Sequence, residues 1–344
     1  MDNPSEAYAA CVSPAAKRKE ALVTPFPWRA KQVGLIARDL LFTPGFSGMI
    51  LSVFADTLYL SGRQGEILWV SQEELPSHRR CLLASFQPRL LKAGQSFFVK
   101  GTYLQFGWSL MIELDGAAQW EPPAIQKEKV APLWEVCTCL RRLLEGLCLF
   151  DGQEGLGRFI PMISAVADEQ SLQPLPSDPL NARAIAPILG MAKACLRQDL
   201  ARAVQIGREL IGLGPGLTPS GDDFLGGFLF AARSLKVAYP AGFFWEERAI
   251  TELIEWARPR THSIGYALFR DLALGHGPEP LHNLIGSLLN GAALDQVLAD
   301  TTRLLRIGHS SGWDMLAGVL TGMLLIEGVD RSKSQNFEFT QTIT

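Results

Sequence analysis

The chain has 344 residues, 47% of them hydrophobic and 19% charged, with a formal net charge of −3. That length supports two domains, each with its own core. The balanced charge excludes the basic footprint of a nucleic-acid or anionic-membrane binder.

Residues 1–20 read as a loosely ordered lead without the apolar core of a signal peptide. The apolar runs further on are broken by charges or glycines short of a membrane span, so a soluble cytoplasmic protein is expected. A β-rich module is expected over 21–122. Its strands are Met49–Phe54, Thr57–Leu60, Ile67–Val70, Ser96–Lys100, Thr102–Phe106 and Ser109–Leu114, which are short β-branched and aromatic runs between Gly, Asp and Ser turns. They predict a small antiparallel sheet or barrel. Glu121-Pro122-Pro123 closes the module.

From 125 to 330 the apolar spacing is helical throughout. Helices are predicted at 132–150, 178–194, 197–211, 221–237, 243–257, 263–274, 278–290, 292–307 and 312–327. The fold class expected is therefore α+β, a small antiparallel module followed by a larger all-helical domain, with a polar tail at 331–344. The cysteines at 11, 81, 137, 139, 148 and 195 match neither a zinc pattern nor a small disulfide framework, so buried, reduced thiols are expected.

The most informative segment is Gly212-Leu-Gly-Pro-Gly-Leu-Thr-Pro-Ser-Gly-Asp-Asp223, a glycine-rich break directly before the apolar run 224–232. Glycines in such a break supply positive φ or close backbone approach. Gly214, Gly216 and Gly221 offer main-chain amides, and Thr218 and Ser220 offer hydroxyls, which suits a phosphate or carboxylate at a helix start. With no Lys after the glycines and no strand before them, the segment is neither a Walker A loop nor a dinucleotide fingerprint. Asp222 and Asp223 suit either Mg²⁺, held through its waters, or the helix dipole.

This segment has an echo. Ser220–Leu229 aligns without gaps to Ser311–Leu320 in the frame Ser-Gly-x-Asp-x-Leu-x-Gly-x-Leu, six identities in ten positions. Asp223, Gly227 and Ala231, like Asp314, Gly318 and Gly322, fall four residues apart on one helix face. Small residues at that spacing predict that the two helices pack on each other or on a shared neighbour with their N-termini at the same end, Asp223 and Asp314 facing a common space. A recurring N-cap with glycines kept for packing accounts for the same pattern. Two further segments carry candidates. His309, with Ser310 and Ser311 beside it, has the setting of a general acid or base or of a structural histidine. Arg258-Pro-Arg260-Thr261-His262-Ser263 offers a guanidinium fork beside a helix start that Thr261 or Ser263 caps.

These three segments, in this order, resemble the bacterial family that includes the AllH subunit of oxamate carbamoyltransferase, over about residues 45 to 328. The resemblance implies carbamoyl transfer between oxalurate and phosphate, giving oxamate and carbamoyl phosphate in allantoin and purine breakdown. It also implies hetero-oligomerisation with two other carbamoyltransferase subunits, one similar to CoA ligases. It brings no catalytic residues with it, so roles follow from residue chemistry. Gly214, Gly216, Thr218, Ser220 and Gly221, with Thr261, Ser263, Ser310 and Ser311, would bind the small anion. Arg260 would clamp a second anionic group and His309 would exchange a proton. Asp222, Asp223 and Asp314 would orient His309, or the first two would hold Mg²⁺. Two alternatives stand beside this reading, a non-catalytic anion-sensing or regulatory subunit and a metal-dependent hydrolase.

Overall fold

The computed structural model of the chain describes residues 27–107, 110–149, 152–168, 170 and 178–341, with side chains up to 329. The lead at 1–20 and positions 342–344 of the expected tail lie outside the described residues; the backbone of 331–341 continues the last helix.

Nine strands form the first domain: β1 (Trp28–Gly34), β2 (Ser47–Val53), β3 (Thr57–Gly62), β4 (Ile67–Ser71), β5 (Cys81–Ala84), β6 (Ser96–Lys100), β7 (Tyr103–Phe106), β8 (Leu110–Glu113) and β9 (Ala118–Trp120). The first helix, α1 (Leu35–Leu41), follows β1 directly. Strands pair in the order β5-β4-β3-β2-β6-β7-β8-β1, and β1 returns to pair with β5, which closes eight strands into a barrel. The start of β1 lies parallel to β8 and its end parallel to β9, while β4 and β5 are also parallel. Leu58, Leu60, Phe97, Leu104, Phe106 and Ile112 fill the interior.

This corrects the expected small antiparallel module: the domain is a closed barrel of mixed strand direction. The strands that close it are the ones the sequence hides. In β1, Arg29, Lys31 and Gln32 interrupt the apolar pattern. In β5, Cys81-Leu-Leu-Ala is buried on both faces and shows no alternation. Its outward face, with Trp69 of β4 and Tyr59 of β3, is covered by the second domain.

That domain contains α2 (Leu133–Cys148), α3 (Ile160–Ala167), α4 (Pro179–Leu196), α5 (Leu200–Gly207), α6 (Ser220–Ala238), α7 (Glu247–Ala257), α8 (Ser263–Ala273), α9 (Glu279–Leu289), α10 (Leu294–Leu305) and α11 (Ser311–Gln341). Short 3₁₀ turns at Gly155–Phe159 and Arg208–Leu210 lead into α3 and out of α5. Helix α3 and the turn before it were not anticipated, because Gly155, Gly157 and Pro161 mask a short apolar segment.

Helices α6 and α11 are the spine of this domain, both buried along nearly their whole described length. They run parallel and pack backbone to backbone. A Cβ at Gly227 would overlap the Met315 carbonyl oxygen, and one at Gly318 would overlap that of Phe224. Only glycine permits that approach. Residues Ser311–Val329 have the length and mean hydropathy, 1.3, of a membrane span, contrary to the expectation that no run reaches that length; the segment is enclosed by the surrounding helices.

The two domains are joined by a buried, bidentate ion pair. Arg80 Nε and Nη2, at the start of β5, donate to Asp271 Oδ2 and Oδ1 of α8 at 2.5 and 2.8 Å. Around it Ile67, Leu51 and Tyr59 of the barrel pack on Ile264, Ala267 and Leu268 of α8, and on Leu217 of the glycine-rich loop.

Candidate functional site

The site lies where α6 and α11 begin. Residues 211–219 leave the 3₁₀ turn after α5 and reverse direction. Gly214 has φ +114°, a conformation L side chains rarely adopt, and any Cβ there would press on Ser220. Pro219 precedes the first turn of α6 and no side chain caps that helix. Ser220 is thus the first helical residue rather than an N-cap.

The two copies of the Ser-Gly-x-Asp frame interlock. Ser311 of the second copy hydrogen-bonds the Asp223 carboxyl of the first, and Ser220 of the first hydrogen-bonds Asp314 of the second. Thr218 Oγ1 lies 3.2 Å from Ser311 Oγ and also bonds Asp223. A third segment joins them. Asp314 Oδ1 accepts from the main-chain amide of Leu156 at 2.6 Å and Oδ2 from Ser310 Oγ at 2.9 Å. Gly155 sits so close to Asp314 that a side chain there would overlap the carboxylate.

Asp222 holds the loop itself. Its Oδ1 accepts from the Gly212 amide at 2.7 Å, and its Oδ2 from Thr261 Oγ1. Gly221 packs its bare Cα on the Leu210 carbonyl, and Gly216 is exposed at the turn of the loop. Among the described residues the main-chain amides of Gly214, Gly216, Leu217 and Thr218 meet no protein acceptor, so the loop carries four free donors.

The electrostatics follow from burial. Asp222 is 1% exposed and Asp314 fully enclosed, and desolvation pushes both carboxyls up to about 6, against the hydrogen bonds each accepts. Asp223 is raised well above the usual carboxylate range. Burial is the main cause, and the neighbouring Asp314 and Asp222 charges add to it against the hydrogen bonds from Ser311 and Thr218. Its Oδ2 is buried with no hydrogen-bond partner among the described residues. Burial thus favours the neutral form of this carboxyl, the form that can donate a proton.

The barrel contributes Tyr59, which sequence reasoning missed. Burial, followed by the nearby Cys81 and Asp223, pushes its phenol up to about 12. Leu156 and Glu154 were also missed. The spacing Gly152, Gly155, Gly157 before α3 was the available signal, a second glycine-rich loop in the helical half.

The remaining candidates stand at the rim. The His309 side chain is 95% exposed, with Nδ1 3.3 Å from Glu154 Oε2. The Arg260 guanidinium stacks on the Trp256 ring at 3.4 Å and donates to the Trp256 carbonyl, while its own carbonyl abuts Gly212. Ser263 is exposed at the start of α8, and the cap there is His262, whose Nδ1 accepts from the Ile264 amide at 3.2 Å; neither Thr261 nor Ser263 fills that position.

The donor set does not suit Mg²⁺. Both oxygens of Asp222 and both of Asp314 already accept hydrogen bonds, and Asp223 favours its neutral form. Among the described residues no group of three or more His, Cys, Asp or Glu could hold a metal ion.

Fold and site together define a class: a mixed β-barrel docked on a helical domain, with a polar enclosure between two matched helix starts. Residues 210–323, which span both copies of the frame, match the model of the family described as oxamate carbamoyltransferase subunit AllH. No solved structure matches the chain.

Proposed function

We propose that this chain is the subunit of a carbamoyltransferase complex that binds the small anionic reactants, and that Asp223 moves the proton of the transfer step. The observation that carries the reading is the buried Asp223 carboxyl, with one oxygen unpartnered, near a loop of unpaired amides. The family match supports the reaction class, and the reactants we propose are oxalurate with phosphate or oxamate with carbamoyl phosphate.

The chemistry balances without a metal. A hydrogenphosphate oxygen attacks the carbamoyl carbon of oxalurate, and the C–N bond to the oxamate nitrogen breaks. Carbamoyl phosphate dianion retains no proton from the nucleophile, and the leaving nitrogen needs one. A neutral carboxyl gives its proton to that nitrogen and recovers one from the phosphate. The amides of Gly214, Gly216, Leu217 and Thr218 then hold the anionic oxygens and stabilise charge on the carbamoyl oxygen as it develops. His309 and Arg260, at the rim, meet the outer carboxylate.

The test is binding to the complex isolated with its partner subunits. Titration with phosphate and with oxamate should show saturable binding that Gly216→Ala, which strains the loop at a positive φ without a steric clash, weakens about tenfold. Undiminished binding of both anions by that variant would remove the loop from the reading.

A further inference from the structure

A second site lies at the opposite end of α6 from the loop. A cleft of about 520 Å³, open to solvent on one side, is bordered by the C-terminal half of α6, the turn between α8 and α9, helix α9, and the segment that leaves the barrel at Pro122. Its charged residues are Arg233 and Lys129, and no carboxylate lines it. Among the described residues Arg233 makes no ion pair. Its guanidinium lies over Trp245, 5.2 Å from the ring centroid.

Two neutral imidazoles face the same space. His282 accepts from the Gly277 amide through Nε2 at 3.2 Å, so its proton sits on Nδ1. The Nδ1 of His276 is buried with no hydrogen-bond partner among the described residues. The nearby Arg79 adds positive charge, and its Nε is likewise buried and unpartnered. Asp271, whose charge reaches His276, is committed to Arg80. Phe230, Ile285 and Leu289 give the wall an apolar face, and Gln126, Ser234 and Asn290 add neutral polar groups.

We propose that this cavity binds an organic anion with an apolar body, its acidic group on Arg233 and His276 and its body against Phe230 and Ile285. The volume exceeds what a phosphate or oxamate fills: at ~30 Å³ per water-sized unit it holds roughly seventeen such units. It falls within the size range of small-molecule sites. The ligand is therefore of a different class from the reactants of the transfer step, and the inference does not depend on the reading of the loop.

The probe is 2-naphthoate, titrated into the full chain by calorimetry, with neutral 2-naphthamide as its control. Naphthoate should bind saturably and naphthamide at least tenfold more weakly. Arg233→Gln should weaken naphthoate about tenfold. Gly286 lines the cavity and has open space where a Cβ would stand, so Gly286→Leu starts its side chain without a clash and adds bulk to the wall. That variant should fold, shown by an unchanged circular-dichroism spectrum, and lose naphthoate binding. No saturable naphthoate binding, equal binding of the two probes, full binding by Gly286→Leu, or displacement of naphthoate by equimolar inorganic phosphate would each overturn the proposal.

Discussion

Ser311, the first residue of α11, hydrogen-bonds the carboxyl of Asp223, the fourth residue of α6, while Ser220 of α6 does the same for Asp314 of α11. Each helix start thus supplies the hydroxyl for the other's carboxyl, and neither network is complete alone. A hydrogen bond of this kind contributes about 1 kcal/mol net. Ser220→Ala and Ser311→Ala should each lower urea-unfolding stability by about that amount. Because the pairs belong to one enclosure, the double variant should depart from additivity by about 0.5 kcal/mol or more. Strict additivity would mean two independent helix starts.

The glycine seam predicts opposite signs at two positions. Gly318→Ala drives a methyl into the Phe224 carbonyl and should cost on the order of 1–3 kcal/mol as α6 and α11 are pushed apart. Gly286→Ala meets open space within α9 and should stabilise by roughly 0.5–1 kcal/mol. Thermal unfolding of the two variants side by side checks both. Equal effects would show that the seam is not closely packed.

The barrel depends on Asp271. Arg80 is nearly buried, with its side chain 10% exposed, and gives two donors to Asp271 and a third to the Ile67 carbonyl. Asp271→Ala leaves that guanidinium buried without its counter-charge and should cost about 3–5 kcal/mol. Replacing both residues by apolar ones of similar volume should recover much of that loss. Limited proteolysis between 85 and 130 would report whether the barrel is released first.

Acid sensitivity has an identifiable source. Burial holds His78 near 4, below the ordinary value of 6.5, against the raising effect of Asp271. The unfolded chain therefore takes up a proton that the folded chain refuses. Stability from this group is fully present above about 6.5 and is lost as pH falls towards 4, roughly 3 kcal/mol in all. Asp222 and Asp314 act in the opposite sense. Their raised values favour the folded state at low pH, and that contribution is lost as pH rises through about 6. His78→Asn keeps an acceptor for the Arg80 amide and should flatten the fall in melting temperature between pH 6.5 and 4. An unchanged slope would contradict the assignment.

The helical half was largely legible, because α2 and α4 to α11 bury one face of a helical period or lie wholly in the core. The echo at 220–229 and 311–320 pointed to the α6–α11 pairing, since glycines four residues apart have few other uses. The barrel was not legible as a closed, mixed structure. Its closing strand β5 is buried on both faces, and its parallel pairings join β1 to strands about eighty residues later. In the site, the loop and the carboxylates could be read from chemistry. The enclosure by Leu156 and Tyr59 could not, because both arrive through tertiary packing. His309 and Arg260 have the residue types of catalysis, and the fold leaves both exposed.

The central claim is that the buried Asp223 carboxyl moves the proton in carbamoyl transfer. Its most direct test is carbamoyl phosphate formed from oxalurate and phosphate by the complex carrying Asp223→Asn, with oxamate binding measured on the same sample. The amide keeps the size of the side chain and cannot exchange the proton. The account predicts a fall in kcat of about 10²–10⁴-fold with oxamate affinity within a few-fold of the unaltered complex. A kcat within twofold of the unaltered complex would contradict it.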